Sequence, residues 1–190
     1  SPPTPDLDLR RAPMSLPPLS ALPDTDCLLG EHAGDYALEG RDDNRRAAAL
    51  LAAQARRRID LFTPDLEPAL YDQTAFLDGL VQLCLNSPRA RVRVLAKDFE
   101  RALKDGHRLV ELARRLSSYI ELRRVHPDYQ ENNESFLIAD DHGLLHRRHA
   151  PRFDGSFSCK TPLEVRRLRA VFDEIWDRSE PATELRRLHL

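Results

Sequence analysis

The sequence predicts an α/β domain: a mixed, mostly parallel sheet with helices on both faces. Apolar residues at helical spacing alternate with short strand-like segments from Arg41 to Val125, which calls for crossover connections and parallel strands. Asp140-Asp141-His142-Gly143 is a hairpin signal that adds antiparallel pairing, and a long amphipathic stretch closes the pattern. At 190 residues, 41% hydrophobic and 32% charged, the chain suits one soluble domain with its own core. No run approaches the roughly 18 apolar residues that a membrane span requires, so no membrane partner is expected.

Residues 1–25 hold half of the chain's 14 prolines. Because Pro lacks an amide donor and restricts its predecessor, this leader is expected to be disordered or draped on the surface, leaving residues 26–190 as the single domain. Tyr36-Ala37-Leu38-Glu39 reads as an edge strand. Asp42-Asp43-Asn44 places capping and anionic residues ahead of an Ala-rich helix from Arg45 to Arg57. Ile59–Thr63 is a strand stopped by Pro64. A second helix covers Asp72–Asn86, with Phe76, Leu77, Leu80, Leu83 and Cys84 on its apolar face and Asn86-Ser87-Pro88 as its end. Arg91–Ala96 is a strand, Gly106–Ser117 a helix and Tyr119–Val125 a strand. Glu134–Ala139 and Gly143–His149 form the hairpin. Residues 162–178 make the last helix, with Val165, Leu168, Phe172, Ile175 and Trp176 facing inward.

A net charge of -2 exerts no global pull on nucleic acid or anionic lipid, so any anion binding must be local. The cationic residues are nearly all Arg; the guanidinium fork suits phosphate, and coding bias in a GC-rich genome accounts for the same imbalance. Cys27, Cys84 and Cys159 are odd in number and widely spaced, without a C-x-x-C pattern. They read as free thiols, and with no signal-peptide pattern at the start the cytoplasm is the expected compartment. His142, His146 and His149 cluster, but His146 and His149 on one strand would point to opposite faces, so no metal site is expected. Lys97-Asp98 and His107 fall at strand ends, where ligands often sit in α/β folds. Arg166, Arg167 and Arg169 on the last helix form either a basic face or a solvated one paired with Glu164, Asp173 and Glu174.

The segment Asn133-Glu134-Ser135-Phe136-Leu137-Ile138-Ala139-Asp140 has the layout of the motif H-x-K-x-x-x-x-D. With the order of elements and Gly155-Ser156-Phe157-Ser158 ahead of a long helix, it resembles one half of a phospholipase D superfamily protein over roughly residues 41–178. The resemblance implies a phospholipase D-like half whose motif is degenerate. Asn133 stands where the family has its nucleophilic His, Ser135 where it has Lys, and Asp140 where it has Asp. An Asn amide has no basic nitrogen to attack phosphorus, and a Ser hydroxyl brings no charge to phosphate. No catalytic residue is therefore expected. Gly155-Ser156 resembles the family's G-S-x-N displaced by an insertion, with Ser158 in place of the Asn. A nearer likeness is to uncharacterised proteobacterial proteins with a degenerate domain of this kind, some labelled acetyltransferase-related. The glycines never approach the spacing of a turn that cradles a pyrophosphate, and there is neither a P-loop nor a G-x-G-x-x-G. No cofactor is expected.

Three functional readings follow. The favoured one is a non-catalytic phospholipase D-like module that binds a phosphate-containing ligand, nucleic acid foremost, through Arg147, Arg148, His146 and Ser156. Such binding would be salt-sensitive. The second is a protein-interaction or regulatory scaffold with a relic cleft, the leader acting as tether. The third is a phosphodiesterase of altered activity, which would need His107, His126 or His146 as nucleophile. Single-half members of the resembled family pair across a two-fold axis, and an uncovered sheet edge is a further reason to expect a homodimer.

Overall fold

A computed structural model describes residues 15–185. In chain order its elements are β1 (Asp35–Leu38), α1 (Arg41–Gln54), β2 (Arg58–Thr63), α2 (Pro68–Tyr71), α3 (Thr74–Asn86), β3 (Arg91–Ala96), α4 (Glu100–Asp105), α5 (Arg108–Arg115), β4 (Ile120–Arg124), β5 (Ser135–Ala139), β6 (Gly143–Arg147), β7 (Gly155–Ser158), α6 (Pro162–Arg178) and β8 (Glu180–Pro181). Among the described residues they build one eight-stranded sheet in the order β1-β7-β6-β5-β2-β3-β4-β8. The sheet is mixed, with helices on both faces, as the alternation of elements requires. Its parallel part is narrower than expected. Only β2–β3 and β3–β4 pair in parallel, each joined directly by a helical crossover. The short connections after β5 and β6 can make only antiparallel turns, so β5, β6, β7 and β1 extend the sheet that way.

Alternation along each strand sorts the core into two layers. Ile59, Leu61, Val92, Val94, Leu137, Leu145 and Phe157 meet the apolar faces of α1, α2, α3 and α5 on one side. On the other, Phe62, Leu95, Phe136, Ile138 and Leu144 lie under Val165, Leu168, Phe172, Ile175 and Trp176 of α6. Helices α1 and α3 approach so closely that a Cβ on Gly79 would stand 2.7 Å from the Ala52 carbonyl carbon. A small residue is required at that crossing.

A polar group breaks the apolar pattern at the centre of β2. Asp60 is fully buried and faces α6, where it accepts from Arg93 Nε at 2.8 Å and from Arg169 Nε at 3.1 Å. Arg93 continues to Asp173 at 2.8 Å, while Arg169 reaches Asp141 Oδ1 at 2.6 Å and the Asp140 carbonyl at 2.5 Å. Arg169 is therefore an internal tie, and Arg167 pairs with Glu164 of its own helix at 3.0 Å. Neither forms part of a free basic face.

The described part of the leader takes the draped alternative, and in doing so it corrects the expectation of three free thiols. Residues 1–14 lie outside the described residues, but from Ser15 onward the chain is draped on the domain. Leu19 and Leu22 are buried, Arg46 of α1 donates to the carbonyls of both, and the Pro17 carbonyl accepts from Ala37 at 2.8 Å along the outer edge of β1. That edge is thus partly covered. The path also brings Cys27 to Cys159, just after β7, and the two form a disulfide across 132 residues of sequence. Only Cys84 is a free thiol, buried as expected. Spacing could not reveal the bridge, because the docking of the leader alone brings the two sulfurs together. Disulfides persist in oxidising compartments and are uncommon in a reducing cytosol, which weighs against the cytoplasmic expectation. No helix among the described residues is long and apolar enough to cross a membrane.

Closing so long a loop constrains the unfolded chain. Reduction, or the pair Cys27→Ser and Cys159→Ser, is expected to cost about 2–4 kcal/mol in denaturant unfolding. Limited proteolysis should then cut residues 15–27 before any other described segment.

Candidate functional site

Three strands end at one corner of the sheet on the face of α2: β2 at Thr63, β5 beginning at Ser135, and β6 at Arg147. Ser135 and Arg147 are directly paired in register. After β2 the backbone turns through left-handed conformations at Leu66 (φ 65°) and Glu67 (φ 27°), with Glu67 N donating to Asp65 Oδ1 at 3.0 Å. This turn aims the Glu67 carboxylate back into the corner. It accepts from Thr63 Oγ1 at 2.9 Å and from Ser135 Oγ at 2.7 Å, and forms an ion pair with Arg147. Arg147 is only 1% exposed. Beside it the Tyr71 hydroxyl is buried near Ser135 without hydrogen-bonding geometry, and Arg147 Nη1 is likewise unpartnered. Burial pushes the Tyr71 phenol far up, and the Glu67 charge adds to the rise.

A cleft of about 400 Å³ lies over this corner, with prolines and Phe153 among its apolar lining, Lys97, Arg101 and Asn133 among its polar lining, and the carboxylates Asp65, Glu67 and Glu134 beside them. Lys97, immediately after β3, donates through Nζ to Asn133 Oδ1 at 3.3 Å. Among the described residues it has no carboxylate partner, and burial lowers its pKa. Arg101 is more exposed and pairs with Asp65 at 3.3 Å. Phe153 is 37% exposed; its ring centroid lies 5.7 Å from Arg147 Cζ and its carbonyl accepts from Asn44 Nδ2 at 2.8 Å. A ring anchored on its backbone and backed by a guanidinium is presented to the cleft.

The expected group of Arg147, Arg148, His146 and Ser156 divides between the two faces of the sheet, as neighbours on a strand must. Arg147 points into the corner and is held by Glu67, not by Asp140 or Asp141, which lie at the far end of the strand. His146, Arg148 and Ser156 meet at a second cleft of about 400 Å³ beside α6, with Ser156 opposite His146 in register. His146 Nε2 lies 2.6 Å from Glu134 Oε2, and this bond holds the Glu134 carboxyl below the usual carboxylate range. The other two histidines considered as nucleophiles act as caps. His107 accepts from Leu109 N at 3.1 Å with its other nitrogen on the Leu66 carbonyl, and His126 accepts from Asp128 N at 3.1 Å.

The three positions aligned with the motif separate as well. Asn133 lines the cleft and Ser135 is buried in the corner beneath it, whereas Asp140 is at the opposite end of β5, about 17 Å from Ser135 by strand rise. There its carboxylate accepts from the amides of Arg56, Arg57 and Arg58 at 2.9–3.3 Å, joining the end of α1 to the start of β2. Asp140 itself adopts a left-handed backbone (φ 52°), which Asp and Asn tolerate better than most residues.

A mixed sheet with three parallel strands, a closing hairpin and a helix across the second face is the phospholipase D-like fold. Solved structures of that kind are similar. Nuc from Salmonella typhimurium, a phospholipase D family member, matches at a TM-score of 0.55 with 11% identity over 79% of this chain and 98% of its own. NucT from Helicobacter pylori matches at 0.53 with 8% identity over the same shares. TrmBL2, an archaeal chromatin protein described with a novel mode of DNA binding, matches at 0.54 with 14% identity over 77% of this chain. The match covers 53% of TrmBL2, so the chain corresponds to about half of that protein. No curated protein matches. By sequence the chain belongs to the family described as domain of unknown function DUF7931, whose model matches residues 40–188.

Lys97 was visible in the sequence as a charge at a strand end. Glu67 and Phe153 gave no signal, since each acquires its place from a loop conformation. Two outcomes test the local chemistry. Asp140→Asn, which keeps an acceptor and tolerates the left-handed backbone, is expected to cost about 1 kcal/mol, and Asp140→Leu about 3 kcal/mol or more through unpaired amides and backbone strain; thermal denaturation of both reads the difference. Glu134 has a lowered pKa in the folded state, so its stabilising contribution is complete above its unfolded value of 4.5 and is lost as pH falls through the folded value. Denaturant midpoints across that range should show this loss in the parent and not in Glu134→Gln.

Proposed function

We propose that this chain is a non-catalytic phospholipase D-like module that binds a phosphate-containing ligand, with nucleic acid as the class. The observation that carries the reading is Lys97: an ammonium beside the amide of Asn133 in a cleft whose own carboxylates, Asp65, Glu67 and Glu134, are paired with Arg101, Arg147 and His146, while Lys97 has no carboxylate partner among the described residues. It restores a cation where Ser135 cannot supply one. Arg148, exposed and with no ion pair among the described residues, is a second cation, at the cleft on the other face of the sheet next to His146 and Ser156. Arg147 acts from beneath, holding Glu67 and backing Phe153. The loss of catalysis rests on Asn133, which cannot act as a nucleophile, and on Ser135, whose hydroxyl is bound to Glu67. The third reading of the sequence, a phosphodiesterase of altered activity, is favoured by the His146–Glu134 pair alone.

Fluorescence anisotropy with short single- and double-stranded DNA and RNA at low salt tests both. Binding should weaken about tenfold in Lys97→Glu and in Arg148→Glu, and each change should reduce the dependence of log K on log salt by about one. Absence of binding, or indifference to both changes, would overturn the reading. Hydrolysis of bis-nitrophenyl phosphate that is lost in His146→Ala would favour the phosphodiesterase reading.

A further inference from the structure

We propose that the cleft between Lys97 and Phe153 seats one unpaired nucleotide, its phosphate on Lys97 and Asn133 and its base on the Phe153 ring. This rests on the phosphate-binding reading and adds which part of a nucleic acid the cleft recognises. Part of the cleft is polar. Lys97 Nζ has three donors and spends one on Asn133 Oδ1, which leaves the Asn133 Nδ2 donor available to a phosphate oxygen. Pro68, Pro151 and Phe153 supply apolar lining to the same cleft, whose carboxylates Asp65, Glu67 and Glu134 are already paired with Arg101, Arg147 and His146. Phe153 is the aromatic residue among the large exposed hydrophobic side chains of the described chain. Exposing it costs stability unless something covers it, and a π-face backed by a guanidinium suits a base.

The size of the cleft decides between a duplex and a single unit. About 400 Å³ is at the lower end of small-ligand sites and accommodates one nucleotide, not a stretch of helix. A base inside a duplex has both faces occupied by its neighbours, so it could not reach the ring. Only a terminal or unpaired base can. A phosphate-bearing ligand without a planar group would use the polar part and leave Phe153 exposed.

Calorimetric titration of the full chain with AMP, ribose 5-phosphate and inorganic phosphate separates these possibilities. AMP should bind at least fivefold more tightly than ribose 5-phosphate, since stacking strengthens binding by about that factor or more. Lys97→Gln should weaken both ligands. Phe153→Leu, which keeps apolar bulk but removes the π-face, should abolish the preference for AMP, and Phe153→Trp should keep it. Equal affinity for AMP and ribose 5-phosphate, or a preference that survives Phe153→Leu, would overturn the inference. If oligonucleotides still bind in a Lys97-dependent way, that failure concerns the base seat alone. If neither oligonucleotides nor any of the three probes bind, the phosphate-binding reading falls with it.

Discussion

Asp60 is the point through which the two layers of this domain are tied together. It lies in the central strand with no solvent exposure, in a position that an apolar residue would otherwise fill, and it holds one Arg from β3 and one from α6. Burying a carboxylate costs several kcal/mol, which the two guanidiniums and their further bonds must offset. What the arrangement supplies is direction. Arg169 can reach Asp60, Asp141 and the Asp140 carbonyl together only if α6 lies at one angle and one height over the sheet. The helix that covers the second face is thus registered to the hairpin, and the hairpin to β2.

The hairpin in turn sets both ends of β5. At its far end Asp140 gathers three successive amides and closes the gap between α1 and β2. At its near end Ser135 joins Glu67, Thr63 and Arg147 in a buried cluster. The positions aligned with the phosphodiesterase motif therefore divide by place. Asp140 ties backbone amides of the scaffold, Asn133 lies at the cleft, and the Ser135 hydroxyl belongs to an internal network. The cation that faces the cleft is Lys97, immediately after β3.

The leader adds a covalent constraint of another kind. Its buried leucines and the bonds from Arg46 hold it along α1 and β1, and the Cys27–Cys159 bridge fixes the connection between β7 and α6. Pro17 and Pro18 lie along the outer edge of β1, where an open strand would invite another chain. The motive for a homodimer is weaker for it at that edge.

Local pattern alone determined much of this fold. Apolar spacing in α1, α3 and α6, and strand-like runs in β2 to β6, follow from a one-dimensional periodicity that survives in any context, and α6 occupies 162–178 as read from its heptad-like face. That Asn133 offers no basic nitrogen was equally legible, because it is a matter of residue type. Other features depended on tertiary structure. Strand β7 is a Gly-Ser-Phe-Ser loop by composition and becomes a strand only because β6 and β1 pair with it. The antiparallel majority of the sheet, the disulfide, the burial of Arg147 and the approach of Lys97 to Asn133 all join residues far apart in sequence. Their distances are fixed by packing, and no local pattern encodes them.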